Sequence, residues 1–532
     1  MDARRSAPVL DCWTRWNYTR LEGSVRDRGL SFPIHADENS TLMEKQLEHQ
    51  PEEGSSSSSR ARAMVVAVCM LLSVILLLLS SSKNSTENRP LNRCENTERG
   101  YQGYPEISHY WGPYAPFFSL DAISEISADI PAGCNVTFVQ VLSRHGARYP
   151  TLHKSTSYSD LIDRIQQHAT AFRGDFAFLE DYRYTLGADN LTAFGENEMA
   201  LSGVTFYNRY KSLTRSIAPF ARSSGSDRVV RSGELFLSGF QNAKAADPQS
   251  KKNDTVPTIK AILPEEGSFN NTLSHNNCPA LEDNDLSDSA KMGFLGGFAP
   301  AILDRIEHNL PGVNLSIKDA LYLMDLCPFE TVAKTIDASK LSPFCSLFTQ
   351  EEWRHYDYYQ SLGKYYGYGA GNSLGPAQGI GFVNELIARM SNTPVNDHTN
   401  VNHTLDSDPE SFPLDATLYV DFSHDNSMTS IYAALGLYNG TKQLSLSRIQ
   451  STNETDGYSA AWTVPFGARA YVEMMQCPSG DEPLVRILVN DRVVPLHGCQ
   501  VDELGRCSRG DFIEGLRFAR TGGNWESCYL AA

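Results

Sequence analysis

The chain has 532 residues and a formal net charge of −17, because 63 acidic side chains outnumber 46 Lys and Arg side chains. This charge argues against a nucleic-acid-binding protein, which needs a basic surface, and a hydrophobic content of 41% excludes disorder throughout the chain. The 11 cysteines include no C-x-x-C pair and no His/Cys group at zinc-ligand spacing, so we expect no metal site.

The first 93 residues contain one apolar segment, residues 63–80, between polar sequences. Residues 1–62 are expected to be a disordered tail, and residues 81–93 a linker. The apolar segment has the length of a short membrane span and also of a long signal-peptide core, and Arg60 and Arg62 before it fit a signal-anchor. Both interpretations stay open, and both predict a secretory-pathway protein that is either secreted or a type II single-pass membrane protein. A buried helix of a cytosolic protein is disfavoured, since nothing nearby could cover it.

Sequons for N-glycosylation are frequent beyond the apolar segment. They lie at Asn84, Asn135, Asn190, Asn253, Asn270, Asn314, Asn402, Asn439 and Asn453. Two more, at Asn17 and Asn39, precede the segment, so sequons alone do not settle the topology. They do predict a glycoprotein whose large region carries these sites on surface loops.

The run VTFVQVL at residues 136–142 predicts a buried strand that leads into the sequence RHGARYP at 144–150. Open α/β sheets bind ligands beyond the carboxyl ends of their strands. Guanidinium groups fit phosphate oxygens, and Gly146 would let the backbone approach a bound group closely. Because nearby positive charge disfavours imidazolium, His145 is expected to be neutral and nucleophilic. The motif therefore predicts phosphoryl transfer, with fixed cations stabilising the transferred group.

The middle of the chain alternates between helical and irregular patterns. Helical spacing dominates from about 157 to 210, whereas SGSDRVVRSG at 224–233 is expected to form a short strand. Residues 281–369 are mostly helical, and a Gly-rich stretch then opens a helix at 382–390. Residues 391–413 are rich in Asn, Asp and Pro and predict a long surface loop. The mixture predicts an α/β domain that carries an α-rich insertion.

A second buried strand, ATLYVDF at 416–422, runs into Ser423-His424-Asp425 and then a helix. A His-Asp pair at such a point is most often a turn with a helix cap. Its position nevertheless matches that of the first motif, and a helix N-terminus is a ready anion site. In this interpretation Asp425 protonates a leaving oxygen and His424 donates a hydrogen bond to phosphate.

Two more features lie between residues 483 and 514. The sequence PLVRILVNDRVVPL at 483–496 predicts a hairpin that turns at Asn490 and Asp491. Asp511, with Glu514 three residues later, predicts the capped start of the last helix.

The sequences RHGARYPT at 144–151 and SHD at 423–425 together resemble the signature of the histidine acid phosphatases. The stretches SHYWGPYAPFFSL, YGYGAGNSLGPAQGIGFVNELIARM and LVNDRVVPLHGC are similar to fungal phytases of that family, so the similarity covers roughly residues 94–532. It implies a large α/β domain with a central mixed sheet flanked by helices. It also implies a smaller α-helical domain, at roughly 155–215 and 281–370, and hydrolysis of phosphate monoesters through a covalent phosphohistidine.

The resemblance also implies residue roles. It makes His145 the nucleophile and Asp425 the proton donor. The implied phosphate-binding residues are Arg144, Arg148, Arg228 and His424. Lys154 and Lys364 match lysines that line the substrate pocket, where they would attract a multiply phosphorylated substrate to an acidic protein. Without the resemblance, Arg228 is interpreted as a residue of a surface strand.

The chain departs from its resembled family at two places. Gly363 stands beside Lys364 where some relatives carry a second lysine, which bears on substrate affinity and preference. Cys94 resembles one half of an N-terminal disulfide, but the partner position is Gly103, so we expect a free thiol or an intermolecular link. The other eight cysteines beyond the apolar segment match four bridges of the family, Cys134–Cys477, Cys278–Cys528, Cys327–Cys345 and Cys499–Cys507.

Two short motifs suggest other functions. Residues 371–375 fit G-x-S-x-G, with His424 downstream, but a serine hydrolase needs a strand before this motif. The sequence before it is the end of an aromatic helix and a Gly-rich loop. Residues 509–511 spell the adhesion tripeptide RGD, although Asp511 already has a local role as a helix cap.

We therefore predict a phytase-like phosphomonoesterase that acts on myo-inositol hexakisphosphate (phytate). The alternative is a broad-specificity secreted acid phosphatase with the same mechanism. A catalytically inactive, membrane-displayed binding protein is disfavoured because His145, Arg148 and Asp425 are all present. Water would hydrolyse the phosphohistidine, so no metal or cofactor is expected. We expect a monomer without nucleic-acid partners, which meets a membrane only through residues 63–80 if they are not cleaved.

Overall fold

A computed structural model describes residues 96–251, 256–478 and 480–530. The predictions for the tail, for residues 63–80, for the linker and for Cys94 concern residues outside these ranges and stay predictions. Within the described ranges, no helix combines the length and the apolar character needed to cross a bilayer.

The strands of the described ranges form one mixed sheet. They are β1 Asn135–Arg144, β2 Phe220–Ser224, β3 Ile259–Leu263, β4 Leu418–Ser423, β5 Arg469–Gln476, β6 Leu484–Val489, β7 Arg492–Val494 and β8 Cys507–Ser508. Their order is β3-β2-β4-β1-β5-β6-β7, and β8 pairs with β6. Strands β3, β2, β4 and β1 run parallel, whereas β5, β6 and β7 continue the sheet in antiparallel pairs.

The longer helices of the described ranges surround this sheet. They are α1 Leu152–His168, α2 Ala193–Arg209, α3 Asp227–Ala246, α4 Leu286–Leu295, α5 Ala299–Asn309, α6 Ile317–Lys334, α7 Gln350–Gly367, α8 Ile380–Ser391, α9 Asp425–Ala434 and α10 Arg509–Gly515. Shorter α-helical segments are Asn96–Arg99, Pro105–Ser108, Lys211–Thr214, Pro279–Glu282, His403–Asp406, Ala460–Thr463 and Arg517–Arg520. Short 3-10 segments are Gly112–Tyr114, Asp121–Ile123, Gly174–Glu180, Pro343–Leu347, Gly375–Gly379 and Trp525–Tyr529.

The alternation of side chains along β1 explains how the layers form. Val139 and Val141 face one side, where they join a buried cluster with side chains of α2 and α3. Phe138 and Leu142 face the other side and join the larger core that includes most of the remaining helices. The predicted α/β class, with a mixed sheet flanked by helices, is confirmed. The separate helical domain at roughly 155–215 and 281–370 stays a prediction.

Both predicted buried strands are confirmed, since residues 136–142 lie in β1 and most of 416–422 lies in β4. The predicted hairpin is confirmed as β6 and β7. Asn490 and Asp491 have φ of 49° and 67°, which are the left-handed conformations that a tight two-residue hairpin turn requires.

The short strand predicted at 224–233 is wrong. Strand β2 ends at Ser224, and α3 begins at Asp227, so Arg228 lies in the first turn of a helix. The adjacent valines at 229 and 230 suggested a strand, but Val229, Phe236 and Phe240 follow helical spacing and are buried together. Their burial on one face of a helix outweighs the β propensity of the valines.

Two smaller predictions also need correction. Residues 391–413 are largely irregular, but Val401 and Phe412 are each only 2% exposed, so this loop is partly buried. Phe412 lies over the guanidinium groups of Arg222 and Arg389, at 5.1 and 4.5 Å from its ring centre. At the other end, α10 is capped by the Ser508 hydroxyl, which accepts a hydrogen bond from the Asp511 amide at 3.0 Å.

The four disulfides implied by the resemblance are formed in the structure. They join Cys134 to Cys477, Cys278 to Cys528, Cys327 to Cys345 and Cys499 to Cys507. The G-x-S-x-G sequence at 371–375 follows α7 and leads into a 3-10 turn, so it lacks the strand that a serine nucleophile needs.

Candidate active site

The two sequence motifs meet because β1 and β4 are parallel neighbours. Arg144 at the end of β1 is in register with Ser423 at the end of β4. The amide of His145 donates a hydrogen bond to the Ser423 carbonyl at 3.2 Å. The ring centres of His145 and His424 are consequently 5.5 Å apart. The predicted strand ends thus form one site at the carboxyl edge of the sheet.

The orientation of His145 makes its Nε2 atom the reactive one. The Nδ1 atom lies 2.9 Å from the Gly146 carbonyl oxygen, which can only accept a hydrogen bond, so Nδ1 carries the proton. Nε2 therefore holds a lone pair and has no hydrogen-bond partner among the described residues. Burial, followed by the charges of Arg144 and Arg148, lowers the pKa of His145 well below its usual value. The motif indicates only the neighbouring charges, whereas burial is the larger cause.

Gly146 is required by packing, and the predicted close approach of its backbone to a bound group stays a prediction. A Cβ atom at this position would lie 2.5 Å from the Gly195 carbonyl oxygen and 2.8 Å from the Met199 side chain. The Gly146 amide also donates to the Ser232 hydroxyl at 3.1 Å. The loop after β1 is therefore pressed against the start of α2 and tied to α3.

Arg144 is fully buried beside the proposed proton donor. Its guanidinium donates to the carbonyls of Val464, at 2.8 Å, and of Pro113, and it lies 3.1 Å from Asp425 Oδ2. The ring of Phe466 lies below it, 4.6 Å from the guanidinium carbon. Burial lowers the pKa of Arg144 to about 10, so the side chain stays charged at neutral and acid pH.

Arg148 and Arg228 present donors that the protein leaves unused. In both side chains the Nε atom is buried and has no hydrogen-bond partner within the described ranges. Burial and the neighbouring Arg148 lower the pKa of Arg228. Buried guanidinium donors without a partner are costly, and a bound anion would satisfy them. The pair therefore fits a phosphate site.

Asp425 is held between two cations. Its Oδ2 atom lies 3.1 Å from Arg144 and 2.8 Å from Lys364 Nζ, and Lys364 also donates to Asn426 Oδ1 at 2.5 Å. Burial alone would raise the pKa of Asp425, but Arg144 and Lys364 hold it well below its usual value. In the protein alone, this carboxyl is therefore a carboxylate and not yet an acid.

His424 is oriented by a carboxylate that the sequence argument missed. Its Nε2 atom lies 2.8 Å from Glu265 Oε1, and Glu265 also accepts hydrogen bonds from Ser224 and Ser226. Burial lowers the pKa of His424, while Glu265 opposes that shift. Glu265 follows β3 just as His424 follows β4, so the rule about strand ends could have found it.

The two predicted pocket lysines are both tied to acidic residues, Lys364 as described and Lys154 through Asp325. Lys154 Nζ lies 3.2 Å from Asp325 and 4.5 Å from the ring centre of Tyr322, and its side chain is 37% exposed. Tyr158 and Tyr356 donate their hydroxyls to the same carboxylate. Asp325, which the sequence argument did not single out, thus positions Lys154 from α6.

Gly363 faces a lysine from another helix. A Cβ atom on Gly363 would lie 3.1 Å from Lys291 Cδ, so the Lys291 side chain of α4 passes over this glycine. Lys291 pairs with Asp288 at 2.6 Å, and its charge contributes to lowering the pKa of Lys364, after burial. A second positive charge is therefore present beside Lys364 although position 363 lacks one. Within the described ranges, no group of three or more His, Cys, Asp or Glu side chains is arranged to hold a metal ion.

Comparisons with known proteins give the geometry a family context. A sequence model described as the histidine phosphatase superfamily (branch 2) matches residues 135–490. Phytase A of Aspergillus oryzae is 58% identical over 436 residues, which cover 82% of this chain and 94% of that protein. Phytase A of Aspergillus fumigatus is 60% identical over 436 residues, again 82% of this chain and 94% of that protein.

Solved structures share the fold. The phytase from D. castellii matches with a TM-score of 0.64 at 24% identity, over 79% of this chain and 87% of that chain. The Bifidobacterium longum multiple inositol polyphosphate phosphatase, in complex with inositol hexasulfate, matches with a TM-score of 0.55 at 15% identity, over 77% of this chain and 97% of that chain. At these identities the likeness is one of architecture.

Proposed function

The chain belongs to the histidine phosphatase superfamily (branch 2), and from that premise we propose that it hydrolyses phytate through a phosphohistidine at residue 145. The resemblance to histidine acid phosphatases, drawn from the two motifs, is confirmed. The chain is accordingly a phosphatase. Its substrate, its residue roles and its cellular location are the subject of the proposal.

The unpartnered Nε2 atom of His145, facing a group of buried guanidiniums, carries this proposal. In the first step the Nε2 lone pair forms a P–N bond while the ester P–O bond breaks. Arg144, Arg148, Arg228 and His424 neutralise the oxygens of the transferred phosphoryl group. The departing inositol oxygen takes a proton from Asp425. Water then attacks phosphorus, the P–N bond breaks, the water proton passes to Asp425, and orthophosphate leaves.

The substrate itself must make Asp425 an acid. Because Arg144 and Lys364 hold the pKa of Asp425 low, the carboxyl is ionised until another anion competes for these cations. A phosphate bound beside them adds negative charge and draws their hydrogen bonds away, and both effects raise the pKa of a carboxyl. In our proposal, phosphate binding thus protonates Asp425 at the moment when the leaving oxygen needs a proton.

Phytate is favoured over a simple phosphomonoester for two reasons. The relatives that are 58–60% identical are phytases by name. In addition, the rim carries Lys154 and Lys364, with Lys291 over Gly363, on a chain of net charge −17. A substrate with one phosphate gains little electrostatic attraction from these lysines, whereas a substrate with six phosphates can contact several of them. The broad-specificity acid phosphatase remains the alternative that the experiment must exclude.

Product analysis tests the function directly. We expect phytate to be hydrolysed with a higher kcat/KM than a panel of simple phosphomonoesters, and His145→Ala to abolish turnover of all of them. A brief reaction with substrate that carries radioactive phosphorus, quenched by a denaturant at alkaline pH, should leave the label on residue 145. The label should then be released by acid, as expected for a P–N bond. Equal kcat/KM for all esters would favour the alternative, and a label on another residue would overturn the mechanism.

For the cellular location we propose the secretory pathway, with the protein either secreted or anchored through residues 63–80. The four disulfides support an oxidising compartment. We also propose that the protein is glycosylated at the sequons and is a monomer. N-terminal sequencing of the native protein distinguishes a cleaved signal from an anchor.

A further inference from the structure

We propose that His275 binds a second phosphate group of the substrate, next to the phosphate that is transferred, and does so as an imidazolium. This inference rests on the proposed function, because it assigns a contact for a multiply phosphorylated substrate. His275 belongs to neither sequence motif, and the mechanism above does not use it.

The segment that carries His275 also contributes a residue that contacts the candidate active site. It runs from β3 to the helix Pro279–Glu282 and supplies Glu265 to His424. The disulfide between Cys278 and Cys528 fixes its far end. The His275 carbonyl, which accepts a hydrogen bond from Gln378, fixes its position further. The backbone at His275 is therefore held on both sides of the histidine.

A carboxylate and an aromatic ring orient the imidazole. Nδ1 lies 2.7 Å from Glu282 Oε1, so Nδ1 carries a proton and donates it to the carboxylate. The ring centre lies 5.0 Å from that of Tyr368, with an angle of 60° between the planes. The side chain is 20% exposed, so a ligand can reach it. This arrangement aims Nε2 away from Glu282 and toward α9.

Nε2 ends beside the proposed proton donor. It lies 3.4 Å from Asn426 Nδ2, and Asn426 Oδ1 accepts a hydrogen bond from Lys364 at 2.5 Å. Lys364 in turn lies 2.8 Å from Asp425. His275 is thus linked to Asp425 through two side chains, at the edge of the site where the leaving inositol oxygen would lie. A ring substituent next to that oxygen is the part of the substrate closest to His275.

Protonation would convert this histidine from an acceptor into a donor. Neutral His275 accepts from the Asn426 amide, but an imidazolium releases that N–H and offers its own, so two donors face the pocket. Glu282, which accepts the hydrogen bond from Nδ1, compensates the charge of that imidazolium.

The test uses inositol hexasulfate, which mimics the substrate without being hydrolysed, as an inhibitor of 4-nitrophenyl phosphate hydrolysis. At pH 5 we expect His275→Ala to raise its inhibition constant about tenfold, as expected for one charge-assisted hydrogen bond. His275→Lys, which places another cation at this position, should restore inhibition, and Glu282→Gln should weaken it.

A matched control is His398→Ala, which removes an exposed histidine elsewhere on the surface. It should change neither inhibition nor turnover. The proposal is overturned if His275→Ala leaves the inhibition constant unchanged at pH 5. It is also overturned if His275→Ala raises the KM for 4-nitrophenyl phosphate by the same factor as the inhibition constant of inositol hexasulfate, because a structural defect would raise both. If the parent protein fails to hydrolyse phytate but hexasulfate inhibition still depends on His275, the proposed function fails and the binding site stands.

Discussion

Lys364 Nζ lies 2.8 Å from Asp425 Oδ2, so the proposed proton donor forms an ion pair with a proposed substrate-binding residue. Burial raises the pKa of Asp425, and the charges of Arg144 and Lys364 lower it below the usual range. Lys364 is therefore both a candidate substrate contact and a control on the acidity of Asp425.

Lys364→Met should move the alkaline limb of the pH profile. Without Lys364 the pKa of Asp425 in the substrate complex rises, so the carboxyl stays protonated to higher pH and the alkaline limb of kcat shifts upward by about one pH unit. The measurement is a profile of kcat against pH with phytate, whose leaving oxygen needs the proton. Lys154→Met is the matched control, because Lys154 pairs with Asp325 and not with Asp425. If the alkaline limb is unchanged in Lys364→Met, Lys364 does not control the pKa of Asp425.

The same residues predict an acid pH optimum with a bell shape. His145 must be neutral, and burial keeps its pKa low, so the acid limb lies well below the usual histidine range. Asp425 must be protonated in the complex, so activity falls as pH rises through its substrate-raised pKa. A profile of kcat against pH checks both limbs. An alkaline optimum would contradict this assignment.

Asp425→Asn should separate substrates by their leaving groups. An inositol oxygen needs a proton to depart, so kcat for phytate should fall by about 10²- to 10⁴-fold. An aryl phosphate leaves as a stabilised phenolate, and its kcat should fall by less than about tenfold. The two substrates are compared with one enzyme preparation at the optimum pH. Equal losses on both would remove Asp425 from the role of acid.

Glu265→Gln should weaken phosphate binding through His424. Glu265 lies 2.8 Å from His424 Nε2 and favours its charged form, so its loss lowers the pKa of His424 and frees the ring. We expect the inhibition constant of orthophosphate to rise about tenfold, as for other partners that orient a binding histidine. Glu266→Gln, at the exposed neighbouring position, is the control. The same change in both variants would indicate a general effect of surface charge.

Gly146→Ala should cost stability as well as activity. The new Cβ would lie 2.5 Å from a backbone carbonyl that cannot rotate away, so we expect unfolding to become easier by about 1–3 kcal/mol. Gly293→Ala, in α4, is the opposite case, because a Cβ there meets nothing within 4 Å. That substitution should be neutral or stabilise by up to about 1 kcal/mol. The denaturant midpoint should therefore fall for Gly146→Ala, and it should stay unchanged or rise slightly for Gly293→Ala.

The buried Asp357 predicts how stability depends on pH. Burial raises its pKa to about 7, while Ser459 and Ala461 donate hydrogen bonds to it. A carboxyl with a raised pKa stabilises the fold fully below its ordinary pKa of about 4, and this contribution is lost as pH rises through about 7. The total loss is on the order of 4 kcal/mol for this group.

Asp357→Asn should remove that part of the pH dependence, because an amide does not ionise. Thermal midpoints measured from pH 4 to pH 8 should decline less in the variant than in the parent protein. Asp283→Asn, at an exposed position, is the control and should leave the slope unchanged. Parallel curves for the parent protein and Asp357→Asn would show that Asp357 is already ionised in the fold.

The sequence predicts the two loops of the candidate site well because each one directly follows a strongly apolar strand. His145 follows β1 and His424 follows β4, and parallel strands bring their carboxyl ends to one edge. What local patterns do not contain is which strands are neighbours. The pairing of β1 with β4 and β5 is long-range, and the residue roles came from the family resemblance.

The residues that local patterns missed act through other residues. Glu265 and Asp325 each orient a cationic or titratable side chain from a distant part of the chain, as Asp325 does for Lys154 over a separation of 171 residues. Glu282 orients His275 over seven residues. A single carboxylate in a polar segment is most often a solvated surface charge. For Asp325 and Glu282 only the folded geometry distinguishes the orienting carboxylate from its exposed counterparts, whereas the position of Glu265 just after β3 is a signal in the sequence.

The central position of β1 has a consequence for biosynthesis. Gln140 on β1 contacts Asp421 on β4, 281 residues later in the chain. A ribosome therefore delivers β1 long before either of its neighbouring strands exists, and until then β1 has unpaired edges that are prone to aggregation. The bond between Cys134 and Cys477, with a separation of 343 residues, can form only after most of the chain has been made. The sheet edge that holds the candidate site thus forms late, and such long-range pairing is intrinsically slow.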